Sequence, residues 1–125
     1  MADYGGRDRV NPAAPLSGTL LCRFDELADP GAKSFRFREG DALFAGFIVR
    51  KGEAVRGYVD VCPHAGWPLA AFEDRYLTRD GGFILCGGHG ALFRPDTGAC
   101  VAGPCMGDAL TKWPVEVRNG EVVVA

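Results

Sequence analysis

The chain has 125 residues, 47% of them hydrophobic and 24% charged, with a formal net charge of -2. That length fits one domain, and fourteen scattered Lys and Arg against sixteen Asp and Glu exclude a basic nucleic-acid footprint. Eighteen glycines and eight prolines favour many turns and short strands over helices.

Residues 1–17 are expected to form a flexible arm ahead of one domain at 18–125. From Met1 to Pro15 the arm holds Asp3, Arg7, Asp8 and Arg9 and no apolar core, so it does not read as a signal peptide. No stretch reads as a membrane span, and a cytoplasmic location is expected.

Thr19 to Phe24 is an apolar run that predicts a first strand, and Asp25-Glu26-Leu27 predicts one helical turn. Lys33 to Arg38 alternates, with Phe35 and Phe37 on one face and Ser34, Arg36 and Arg38 on the other, the period of a half-buried strand. After a turn at Gly40-Asp41, the runs Ala42 to Arg50 and Ala54 to Val61 predict a hairpin joined at Lys51-Gly52-Glu53. Arg79-Asp80-Gly81-Gly82 is a turn into a short strand, Phe83-Ile84-Leu85. Ala91-Leu92-Phe93, a turn at Pro95-Asp96-Thr97-Gly98 and Ala99 to Ala102 come next. Asn119-Gly120 is the strongest local signal: a two-residue turn there pairs Arg118 with Glu121, Val117 with Val122 and Val115 with Val124. The fold class expected is therefore all-β.

The chemistry concentrates between Val61 and His89. The chain has two histidines, and each stands beside a cysteine, in Cys62-Pro63-His64 and in Cys86-Gly87-Gly88-His89. Both pairs follow an apolar β-run, so two loops would each present one thiolate and one imidazole. Five cysteines cannot all pair, and clustered Cys and His in a reducing compartment point to a metal rather than to bridges. Two thiolates and two imidazoles suit one tetrahedral zinc ion or a two-iron cluster with mixed ligation.

The residues after the ligands separate these. Cys62-Pro63-His64, Cys86-Gly87-Gly88-His89-Gly90, Leu92-Phe93, Asp96-Thr97-Gly98, Gly103-Pro104 and the closing Trp113-Pro114-Val115-Glu116-Val117 hairpin resemble the Rieske iron–sulfur family. The resemblance spans roughly Thr19 to Val124. It implies an antiparallel β-sandwich with a cluster-binding subdomain formed by two hairpin loops, and a [2Fe–2S] cluster. By resemblance, Cys62 and Cys86 hold one iron and His64 and His89 the other. Gly66, Trp67, Gly88, Gly90, Ala91, Phe93 and Pro104 are expected to line the cluster, with the N–H groups of Gly87, Gly88 and Gly90 aimed at its sulfurs.

Three departures refine the expectation. Trp67 and Gly88 stand where respiratory members of the family carry a second, disulfide-forming cysteine in each loop. Ala91 and Phe93 stand where high-potential members carry a Ser and a Tyr. Without those hydroxyl donors the reduced cluster is less stabilised, which implies a potential of roughly -150 mV. The spacer from His64 to Cys86 is also a few residues longer than usual. Cys22 reads as a core residue. Cys100 and Cys105 are a further departure, and Cys105, following the Gly103-Pro104 loop that would shield the cluster, reads as a buried or idle thiol, with a redox-sensitive thiol as the alternative.

The function implied is electron transfer by a Rieske-type ferredoxin, between a flavin reductase and a terminal oxygenase that dock on the apolar loop tip, with no catalysis by this chain alone. Trp67, Pro68, Leu69, Leu92, Phe93, Pro104 and Met106 are the residues expected near that tip, with Trp67 and Phe93 packing inward around the cluster as the alternative for those two. The alternatives are an accessory subunit similar to the small subunit of assimilatory nitrite reductase, and a zinc-stabilised binding module. The chain has no further histidines for the mononuclear iron of an oxygenase domain.

Overall fold

Ala42–Lys51, the longest strand, divides the molecule because both of its faces are apolar. In this computed structural model, which describes residues 11–63, 69, 75–86 and 90–125, it is β3, central in a meander. It lies between β2 (Gly31–Glu39) and β4 (Ala54–Val59). Two-residue turns join the three, Glu39 pairing with Ala42 and Lys51 with Ala54. Gly40 and Gly52 supply the positive φ these turns need, 59° and 63°.

Strand periodicity sends Phe47 and Val49 of β3 to one side and Phe44 and Ile48 to the other. Each side seeds its own core. Phe44 and Ile48 join Trp113, Val55, Cys22, Val122 and Val124. Phe47 and Val49 join Tyr58, Tyr76, Ile84, Phe93 and the buried ends of both Cys-His loops. Cys22 is thus a core residue of the first side, as expected.

The first core is closed by a second sheet of β1 (Leu20–Arg23), β8 (Val115–Arg118) and β9 (Glu121–Val124), in the order β1-β9-β8. Arg118 faces Glu121, Val117 faces Val122 and Val115 faces Val124. That is the register read from Asn119-Gly120, whose φ angles of 54° and 78° are those of a hairpin turn with both central residues left-handed. Trp113 ties this sheet to the meander. A Cβ on Gly46 would lie 2.6 Å from its ring, and one on Gly57 2.3 Å from its carbonyl oxygen. Gly46 thus leaves open the space the indole occupies, and Gly57 the space taken by the Trp113 carbonyl. It sits 5.2 Å from the Phe44 ring and 6.2 Å from the Phe35 ring, edge to face with the latter.

A third sheet, β5 (Ile84–Leu85), β6 (Leu92–Phe93) and β7 (Cys100–Ala102), covers the second core. All pairings within the three sheets are antiparallel. Phe24–Glu26 is a single 3₁₀ turn. No helix among the described residues is long and apolar enough to cross a membrane. Residues 11–17, the end of the expected arm, lie on the first core. Ala13 is buried there, the Asn11 side-chain amide donates to Leu43 O at 3.2 Å, and Gly18 N–H donates to Val124 O at 2.7 Å.

Candidate metal centre

β4 carries the chain towards Cys62 but does not run to Val61 as its apolar sequence suggests. It ends at Val59, where Val61 N–H donates back to Val59 O at 2.9 Å, a three-residue turn centred on Asp60. The alternation carries through the turn, Tyr58, Asp60 and Cys62 all facing inward. Val61 is left 44% exposed and Cys62 fully buried.

Asp60 is the only buried charged residue among those described. Its Oδ1 accepts the Leu69 N–H at 2.9 Å and its Oδ2 accepts the Tyr76 hydroxyl at 2.7 Å. One carboxylate thus ties the root of the first ligand loop to both sides of the long segment after His64. Tyr76 is held from its other side by the Phe47 ring, stacked at 4.2 Å with an interplanar angle of 7°. Burial first, and then the Asp60 carboxylate, push the Tyr76 hydroxyl far above the ordinary tyrosine range. Neither residue stood out in the sequence. The available signal was an acid inside the apolar run Tyr58-Val59-Asp60-Val61.

The second loop is closed at its base. Cys86 N–H donates to Ala91 O and Gly90 N–H donates to Cys86 O, both at 2.9 Å. The N–H of Gly90, expected to aim at a sulfur, is therefore engaged by a carbonyl. Gly90 is needed for its φ of 73°, since a Cβ there would meet nothing within 4 Å. Cys86 is buried, in one apolar cluster with Cys62.

Ala91 and Phe93 are also fully buried in that cluster. Neither carries a hydroxyl. Leu69, expected at the apolar tip, points into the core instead, because Asp60 draws its backbone inward, and Phe93 takes the inward of its two expected placements, because β6 pairs it with Ile84 and Cys100. Leu92 is half-buried, and Val61, Pro104 and Met106 remain exposed, Met106 at 67%. His64, Gly66, Trp67, Pro68, Gly87, Gly88 and His89 lie outside the described residues.

The Gly103-Pro104 loop packs on the second ligand loop. Gly103 has a φ of 96°, and a Cβ on it would come within 2.7 Å of Ala91 Cα. Only glycine lets the two backbones meet this closely. The same loop brings Cys105 to Cys100, Sγ to Sγ 3.0 Å. Burial first, and then the Cys100 sulfur, push the Cys105 thiol up to about 12.

The chain matches the Rieske [2Fe-2S] domain family over residues 18–117. Its structure is similar to the ferredoxin of carbazole 1,9a-dioxygenase from Nocardioides aromaticivorans IC177, with a TM-score of 0.69 and 24% identity, over 88% of this chain and 98% of that one. A Sphingomonas yanoikuyae B1 ferredoxin aligns with a TM-score of 0.62 and 23% identity, over 86% and 96% of the two chains. A chain from a complex of reduced oxygenase and oxidized ferredoxin in carbazole 1,9a-dioxygenase aligns at 30% identity and a TM-score of 0.63, over 85% and 99%. No curated protein matches.

Proposed function

The chain belongs to the Rieske [2Fe-2S] domain family, and from that membership we propose that it is a one-electron carrier between a flavin reductase and a terminal oxygenase. The family's Rieske-type [2Fe–2S] cluster supplies reversible one-electron chemistry when bound. The donor chemistry of this chain fits that group. Cys62 and Cys86 are buried, share one apolar cluster and belong to no disulfide. They are assigned to one iron, and His64 and His89, two and three residues further on, to the other.

The burial of Cys62 and Cys86 in a single core, at the roots of two different loops, is the observation that carries this reading. Around them the chain positions and insulates. Asp60 fixes the backbone on both sides of the first loop. Phe93, Leu69, Ile84 and Ala91 exclude water beneath it, and Gly103 seats the third loop on the second. Val61, Pro104 and Met106 leave an apolar outer surface suited to brief docking. Support for an oxygenase as the acceptor is the similarity, at 30% identity, to a chain of an oxygenase–ferredoxin complex.

Ala91 and Phe93 offer no hydroxyl to the sulfurs, which favours a potential near the lower end of the family's range, roughly -150 mV. Visible and reduced-state EPR spectra of the protein as isolated test the assignment. A brown sample with the signal of mixed histidine and cysteine ligation is expected, and it should change in His64→Cys. A colourless, zinc-containing sample would refute it. Reoxidation of the reduced protein by a terminal oxygenase, and not by an unrelated acceptor, tests the partner.

A further inference from the structure

Cys100 and Cys105 have no part in the cluster assignment, yet their sulfurs lie 3.0 Å apart. Both are buried, at 7% and 2% exposure. The Cys105 S–H donates to Cys100 Sγ, and the Cys100 S–H donates to Ala102 O at 3.2 Å. The backbone holds the pair from outside: Cys100 N–H donates to Asp108 O and Asp108 N–H donates to Cys105 O, both at 2.9 Å. Gly103, at a φ of 96°, reverses the chain between them. A disulfide needs its sulfurs about 2.0 Å apart, so closure asks for a shift of roughly one ångström in a frame already set. The loop's outer residues, Pro104 and Met106, are exposed, so a small oxidant needs only a local opening to reach the pair.

We propose that Cys100 and Cys105 are a reversible thiol–disulfide pair, oxidised by small-molecule disulfides such as glutathione disulfide, that locks the Gly103-Pro104 loop onto the second ligand loop. The step balances as two exchanges. The Cys100 sulfur, towards which the Cys105 S–H already points, attacks the oxidant and displaces one thiolate to give a mixed disulfide. The Cys105 sulfur then attacks the Cys100 sulfur of that intermediate and displaces the second thiolate. Two electrons pass from the cysteine pair to the oxidant, and the two protons leave on the released thiols. The bridge closes a short loop that contains Gly103, the residue in backbone contact with Ala91.

The experiment uses the full-length protein as isolated, treated with glutathione disulfide, and reads intact mass and disulfide mapping. The expected product has lost the mass of two hydrogens and maps to Cys100–Cys105. It returns to the starting mass with dithiothreitol, keeps its visible absorption, and still forms in Cys22→Ser. Full alkylation of Cys100 and Cys105 after oxidation would overturn the proposal. So would a persistent glutathione adduct, or a bridge that recruits Cys62 with loss of the visible absorption. The decisive measurement needs no variant at the pair, and its mass readout does not depend on electron transfer. Cys100→Ser, where it folds, must abolish the mass loss.

Discussion

The Tyr76 hydroxyl donates to Asp60 Oδ2 at 2.7 Å inside the core that surrounds Cys62. The two residues are 16 apart in sequence, and the bond joins the root of the first ligand loop to the segment between the two loops. Tyr76→Phe removes the donor and leaves a buried carboxylate oxygen short of a partner, at an expected cost of about 1–3 kcal/mol. Asp60→Ala removes the acceptor of both the Tyr76 hydroxyl and the Leu69 N–H and should cost at least as much. The double variant is expected to lose less than the sum of the two, since both single changes break the same bond. Denaturant unfolding of all four proteins measures this. Visible absorption should also decay faster in Asp60→Ala, because the backbone on both sides of the first ligand loop is released.

Gly103 and Gly107 separate backbone strain from close approach. Their φ angles are nearly the same, 96° and 98°, but a Cβ on Gly107 meets nothing within 4 Å while one on Gly103 meets Ala91 Cα at 2.7 Å. Gly107→Ala is expected to show only the conformational cost, about 1–2 kcal/mol. Gly103→Ala should lose more, because the third loop must also move off the second. Thermal unfolding ranks the two, and equal losses would mean that the contact with Ala91 contributes nothing.

Tyr58 donates its hydroxyl to Pro95 O at 2.7 Å and is 1% exposed, and burial pushes it up to about 12. An unfolded tyrosine titrates near about 10. In that interval the folded state keeps a proton that the unfolded state has lost, so stability falls as pH rises. The contribution is complete below about pH 10 and is lost on passing through about 12. Tyr76 acts with the same sign. Unfolding midpoints measured at increasing alkaline pH should decline, and Tyr58→Phe should flatten the decline while lowering stability at neutral pH by about 0.5–1.5 kcal/mol.

Local chemistry made part of this molecule legible and long-range contact hid the rest. Asn119-Gly120 forces one hairpin type, and the type dictates the pairing of every residue from Val115 to Val124. The meander was equally open to reading, because Gly40 and Gly52 each stand at a two-residue turn between apolar runs. The end of β4 was not, since Asp60 halts the strand by bonds to Leu69 and Tyr76, which no neighbouring residue announces. Leu69 looked like a tip residue by proximity to the ligands, yet its N–H bond to Asp60 holds it inside, and for Phe93 only the pairing of β6 with Ile84 and Cys100 decides the inward placement. Cys105 was legible as a buried thiol, but its approach to Cys100 depends on the path of the third loop, which positive φ at Gly103 sets.

Ala91 and Phe93 allow the potential to be tested in both directions. Both are fully buried within the cluster of residues that holds Cys62 and Cys86, so a hydroxyl placed at either position cannot satisfy itself with bulk water and must find an acceptor nearby. Sulfur that receives a hydrogen bond stabilises the more negative, reduced state, and the potential rises. The protein is expected near roughly -150 mV, with Ala91→Ser and Phe93→Tyr each shifted upward and the double variant further still. Voltammetry on the three variants and the parent measures the shifts. Phe93→Leu adds no donor and serves as the packing control: an equal upward shift there would assign the effect to altered solvent access rather than to a hydrogen bond. A parent potential well above zero would refute the reading of both positions, since it would require donors that neither side chain provides.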